Sequence, residues 1–103
     1  MADKTWKATE RKIAKLFKTN RTPLSGSNSR HTESDTLHEH LFIETKYRKK
    51  IPFLTVFRDT IKKSKKENKT PLVVFVEKGS KMPIVMCNIN NLKEIANYLE
   101  DSC

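Results

Sequence analysis

The chain has no apolar run near the ~20 residues that cross a bilayer, so no membrane-spanning helix is expected. No signal-peptide core follows Met1, and the chain is expected to stay in the cytoplasm. There are only two cysteines, Cys87 and Cys103, and their spacing is not that of metal ligands. Both read as free thiols in a reducing compartment. No internal repeat is present, which excludes a solenoid or array. Acids are scarce: 12 Asp and Glu face 21 Lys and Arg, leaving a net charge of +9. Such an excess favours a polyanionic partner, most often nucleic acid. With 103 residues, 36% of them hydrophobic, the chain suits one small domain, residues 1–103, with a modest core.

One stretch concentrates the chemistry: residues 34–46, Ser-Asp-Thr-Leu-His-Glu-His-Leu-Phe-Ile-Glu-Thr-Lys. Residues 41–46 are rich in branched and aromatic side chains and read as a β-strand. Side chains two apart share a strand face, so Glu44 and Lys46 point one way, Ile43 and Thr45 the other. Residues 35–37 read as a shorter strand, with His38, Glu39 and His40 as the hairpin loop between. That hairpin returns Asp35 to Glu44. Two carboxylates and an ammonium would then share one surface. Hard cations such as Mg²⁺ take oxygen ligands and keep several waters, so one or two carboxylates suffice. A cation there activates water and neutralises phosphoryl charge. Taken alone, the same residues also describe an ordinary edge strand with a cross-strand ion pair.

Residues 3–18 read as a helix, capped by Asp3 or Thr5, with Trp6, Ile13, Leu16 and Phe17 as its apolar stripe. Glu10 falls inside that stripe, where an acid is costly unless paired. Either it reaches solvent or pairs with Lys7 or Lys15, or it points at a metal or at Lys46. Residues 19–34 form a long polar loop with almost no apolar residues, with a short strand near Arg21 and Thr22. Its Ser, Asn and Arg content suits phosphate contacts, and Gly26 would let backbone approach closely. Arg48, Lys49 and Lys50 extend the motif strand as a basic run. A helix follows over residues 52–68, with Phe53, Leu54, Phe57 and Ile61 inward and lysines crowding its end. Residues 72–77 are a continuous apolar run, as for a strand buried on both faces. Residues 83–88 read as a strand, and residues 91–99 as a last helix begun by Asn91 with Glu94 in a capping box. The order is α-β-β-α-β-β-α, an α/β domain with a mixed central sheet flanked by helices.

Glu10 on a first helix, a serine-glycine loop, an acid, then Glu-x-Lys on a strand followed by helix and strand: this order resembles the PD-(D/E)xK nuclease superfamily. The likeness is strongest to archaeal Holliday-junction resolvases and related small phage or archaeal endonucleases, and covers residues 6–75. Ser34 stands where many members have proline, and the chain has no glutamine to match one that follows the motif strand in some members. The resemblance implies a restriction-endonuclease-like core and Mg²⁺- or Mn²⁺-dependent DNA cleavage in a prokaryotic cell or a virus's host. It implies that Asp35, Glu44 and the Thr45 carbonyl hold the metal, that Lys46 orients or helps activate the water, and that Glu10 ligates a second metal or its water shell. Arg21, Ser25, Gly26 and Ser27 match the family's basic serine-glycine loop, and the candidate DNA contacts are Arg21, Ser25, Ser27 and Arg30 in the loop and Arg48, Lys49 and Lys50 after the strand. The resemblance also implies a homodimer and ends carrying 5′-phosphate and 3′-hydroxyl.

Two other readings stay open. One is a nucleic-acid-binding protein that keeps the fold and does not cut. The other is zinc at His31, His38 and His40, with Asp35 or Glu39 adding oxygen; no second Cys or His cluster follows to complete it.

Overall fold

The structure, a computed structural model, describes residues 2–23 and 32–100, the first four of these by backbone alone. Ser25, Gly26, Ser27, Arg30, His31 and Cys103 lie outside the described residues. The sheet is built around β2 (Thr70–Glu77), which pairs in parallel with β1 (Leu41–Arg48) and antiparallel with β3 (Ile84–Met86). The apolar run of β2 explains its central place. Leu72, Val74 and Val76 face one way, into a cluster with Ile13, Phe17, Leu41, Ile43 and Ile95. Val73 and Phe75 face the other way, into a cluster with Ile51 and Phe57. Helices α1 (Ala2–Leu16) and α3 (Leu92–Asn97) therefore cover one face, and α2 (Phe53–Lys66) the other. No described helix is long and apolar enough to cross a membrane.

Leu54, expected on the inner face of α2, is 64% exposed instead. Three expectations about the elements change as well. The strand expected at residues 35–37 is absent, so the order among described residues is α-β-α-β-β-α. In its place Thr36 makes a single antiparallel bridge to Arg21. The reason is Ser34, whose hydroxyl takes over what a ladder would supply. Its Oγ accepts from Ile43 N–H at 2.9 Å and donates to the Ile43 carbonyl at 3.1 Å. Only one backbone bond joins the segment to β1, from Asp35 N–H to the Ile43 carbonyl at 2.9 Å. A residue with a free N–H is required at this position, since Ser34 also donates to Thr32 Oγ1 at 3.0 Å. Proline, which lacks that N–H, would break the contact.

Second, α1 runs from Ala2, so Asp3 and Thr5, expected at its start, lie within its backbone span. Third, the Asn91–Glu94 capping box does not form. A 3-10 turn (Ile89–Asn91) precedes α3, and Asn91 makes no side-chain cap bond. The Glu94 carboxylate is claimed by the Thr70 hydroxyl at 2.9 and 3.1 Å, which ties α3 to the start of β2.

The ends of the polar loop are pinned. Thr22 N–H donates to the Asp35 carbonyl at 2.9 Å, and its hydroxyl to the Ser34 carbonyl at 2.8 Å. Leu37 N–H donates to the Asn20 carbonyl at 2.9 Å. On the far side Glu67, at the end of α2, accepts from the Thr32 hydroxyl and, at 2.9 Å, from Glu33 N–H. Thr22, Ser34 and Thr36 are all buried by this arrangement, with their polar atoms bonded. The loop thus enters and leaves directly beside Asp35.

Candidate active site

Strand β1 is an edge strand, and its outer side is where the acids gather. Thr45 N–H points outward and donates to Asp35 Oδ2 at 2.7 Å. In a strand the N–H and C=O of one residue point to the same side, so the Thr45 carbonyl also faces the Asp35 edge. Glu44 and Lys46 share a face, as their spacing predicts, and are joined at 3.1 Å. Ile43 packs in the opposite core. β1 continues to Arg48, which brings Arg48 onto the Glu44–Lys46 face, and Arg48, Lys49 and Lys50 are all exposed.

The charges are crowded. Burial pushes the Asp35 carboxyl up, and the Glu44 charge adds to it, to about 8; the Thr45 N–H opposes them. Glu10 and Lys46 also act on Asp35, so all four predicted catalytic groups lie within one electrostatic neighbourhood. Glu10 is raised above the usual carboxylate range by burial, against the pull of Arg21.

The structure gives Glu10 a partner that sequence reasoning missed. Arg21 Nε donates to Glu10 Oε1 at 2.7 Å, and the guanidinium lies 5.4 Å from the Trp6 ring centroid. Trp6, expected in the apolar stripe, is partly exposed and backs this pair instead. Arg21 is therefore a residue of the site's frame, in addition to its expected role against DNA. Both side chains are less than a fifth exposed, 16% and 13%. Arg21→Ala leaves the largely buried Glu10 charge without its guanidinium partner, and is expected to cost about 2 kcal/mol or more in urea unfolding. Arg21→Lys, which cannot reproduce the Nε geometry over Trp6, is expected to recover only part of this.

His38 is structural. Its Nδ1 accepts from both His40 N–H and Leu41 N–H at 3.0 Å, which closes the turn into β1. That requires the neutral ring with the proton on Nε2. His40 stacks on Tyr98 at 5.6 Å, and His38 meets the same ring edge-on at 4.7 Å. Burial, then His40 and Lys69, lower the His38 pKa. With its folded value below the unfolded 6.5, His38 contributes stability that is present above about pH 6.5 and lost as pH falls below it. His38→Ala, which orphans two backbone N–H groups, is expected to cost about 2 kcal/mol at pH 7.5 and to remove that acid-side slope in pH-dependent unfolding.

Among the described residues no three His, Cys, Asp or Glu side chains converge to cage a metal ion. Asp35, Glu44 and the Thr45 carbonyl are two carboxylates and one peptide oxygen at the largely buried outer edge of β1. That donor set fits a hard divalent cation that keeps several waters, and does not fit zinc held by nitrogen or sulfur. Comparison with known proteins finds no matching family model, no matching curated protein and no matching solved structure.

Proposed function

We propose that this chain is a metal-dependent DNA endonuclease of the PD-(D/E)xK kind, with Asp35, Glu44 and Lys46 carrying the chemistry. The observation that carries the reading is the Asp35 carboxyl, held by Thr45 beside Glu44 and pushed up to about 8. A fold gains no stability from pressing two acids together. It gains a place where a cation is welcome, and Asp35, Glu44 and the Thr45 carbonyl are the groups that would hold Mg²⁺, or Mn²⁺ in its place. Bound there, the ion supplies Lewis-acid stabilisation of phosphoryl charge and a more acidic water.

Lys46 supports the reading by position. It shares the Glu44 face and carries a charge suited to orienting the attacking water and offsetting charge on the phosphoryl oxygens. Glu10, near enough to be felt by Glu44 and Lys46, would serve a second ion or its waters. Arg48, Lys49 and Lys50 continue from the site as exposed cations for neighbouring phosphates, together with Ser25, Ser27 and Arg30 of the loop. A homodimer fits the exposed apolar residues Met82, Ile84, Val85, Ile89 and Leu92, just before, on and after β3, the other edge of the sheet. The test is nicking of supercoiled plasmid in MgCl₂, with EDTA as the control. Cleavage that is absent in Mg²⁺ and Mn²⁺ alike sinks the proposal.

A binder that does not cut is the second reading. The Glu10–Arg21 and Glu44–Lys46 pairs favour it, since two of the three acids already have a cation beside them. It predicts DNA binding with no nicking under any divalent ion.

A further inference from the structure

A second charged recess lies where α1 ends. Lys18 adopts a left-handed backbone, φ 59°, and Thr19 N–H returns to the Ala14 carbonyl at 3.0 Å. The chain therefore doubles back, and residues 19–21 run beside the last turns of the helix. The bond from Leu37 N–H to the Asn20 carbonyl fixes this return. A cavity of about 310 Å³ opens between the two, lined by Arg11, Lys15, Thr19, Asn20 and Arg21. Arg11 and Lys15 are four apart on the helix and so lie side by side. Among the described residues no acid lines the cavity. Glu10, next to Arg11 in the chain, is taken up by Arg21 Nε. Like charges four apart on a helix are unfavourable without an anion between them.

We infer that this recess binds a non-scissile phosphate of the DNA backbone, with Arg11 and Lys15 as its cations and Thr19 and Asn20 as its neutral donors. This inference rests on the DNA reading above and extends it to residues that reading does not use. A guanidinium can grip two phosphate oxygens at once, while an ammonium acts as a point charge. Hydroxyl and amide side chains are the other common phosphate partners. Arg21 links the recess to the carboxylate cluster, because it lines one and its guanidinium is bonded into the other. A single strand lying on Arg48 and the site can therefore continue past Arg21 into the recess.

The test is anisotropy of a short labelled duplex, titrated across a salt series in Ca²⁺, with wild type, Arg11→Gln/Lys15→Gln, and the charge-matched control Lys81→Gln/Lys93→Gln, in the β2–β3 turn and on α3. Glutamine keeps helix propensity, and circular dichroism checks the fold. The recess variant is expected to bind about tenfold or more weakly, with the slope of log affinity against log salt reduced by about two; the control is expected to keep most of its affinity. Equal losses in both variants mean that only net charge matters, and overturn the inference. An unchanged slope in the recess variant overturns it too. If inorganic phosphate binds wild type tightly while duplex affinity is the same in wild type and the recess variant, the site serves free phosphate and the DNA source is wrong. Plasmid nicking separates the two proposals. A wild type that never nicks, with a recess variant that still loses two from its slope, keeps the recess and removes the nuclease. A wild type that nicks, with an unaltered slope in the variant, does the reverse.

Discussion

Plasmid nicking is expected to vanish in Glu44→Ala and in Asp35→Asn, and to slow about 10²- to 10³-fold in Lys46→Ala. The two acids supply oxygen ligands that no neighbour can replace, since among the described residues no third acid or imidazole closes around them. Asp35→Asn is the better variant there, because its amide oxygen can still accept from Thr45 N–H, the 2.7 Å bond that ties residues 34–36 to β1. Asp35→Ala would lose that bond and confuse chemistry with folding. Lys46 and Glu44 neutralise one another at 3.1 Å, so each substitution leaves the other with its charge unmatched. Affinity for Mg²⁺ should therefore be measured alongside the rate. Glu44→Ala is expected to lose metal binding, and Lys46→Ala to keep or tighten it while losing rate. A Glu44→Ala protein with full activity in ordinary Mg²⁺ would end the nuclease assignment.

Much of this site was legible because strand parity is strict. The two-residue step from Glu44 to Lys46 fixes a shared face whatever the sheet around it, and the apolar run at residues 72–77 could only be a strand covered on both sides. The helix over α1 followed from Ile13, Leu16 and Phe17 at helical spacing. What was missed involves side chains that satisfy backbone or meet across long sequence distances. Glu10 and Arg21 are eleven residues apart, on a helix and on the strand-like return behind it, and their meeting depends on the left-handed turn at Lys18. Lysine carries no signal for that conformation, as glycine would. The strand expected at residues 35–37 failed because three residues carry too little pattern to tell a ladder from a serine that imitates one. His38 resembled a metal ligand in a His-x-His spacing, yet its Nδ1 is spent on the turn; only the turn's geometry reveals that. The Asn91–Glu94 box was outcompeted by Thr70, a contact made in tertiary structure alone.

Asp35→Asn is also expected to raise stability in EDTA, by about 2 kcal/mol or more at pH 8, with the gain shrinking toward pH 5. The sign follows from where the proton sits. Asp35 moves from 3.8 to about 8 on folding, through burial first and the Glu44 charge second. Between those values the folded chain keeps a proton that the unfolded chain has released. Stability from this group is therefore complete below about pH 4 and is lost as pH rises through about 8. Asparagine removes the ionisation and keeps the acceptor for Thr45, so its unfolding free energy should lack that alkaline slope. His38 works in the opposite sense below about pH 6.5, so the two slopes offset one another there, and wild type in EDTA should lose stability most visibly between about pH 6.5 and 8. Divalent ion changes the outcome. An ion bound by Asp35 and Glu44 favours the ionised acids, so MgCl₂ should lift wild-type melting temperature most at pH 8 to 9, where the unliganded fold is weakest, and should leave Asp35→Asn almost unmoved. Thermal melts at roughly pH 5 to 9, with EDTA or MgCl₂, read all of these together. If wild type in EDTA is equally stable from about pH 6 to 9, or if Asp35→Asn melts lower than wild type at pH 8, then Asp35 is not the strained acid of a cation site, and the metal must be sought at Glu10 instead.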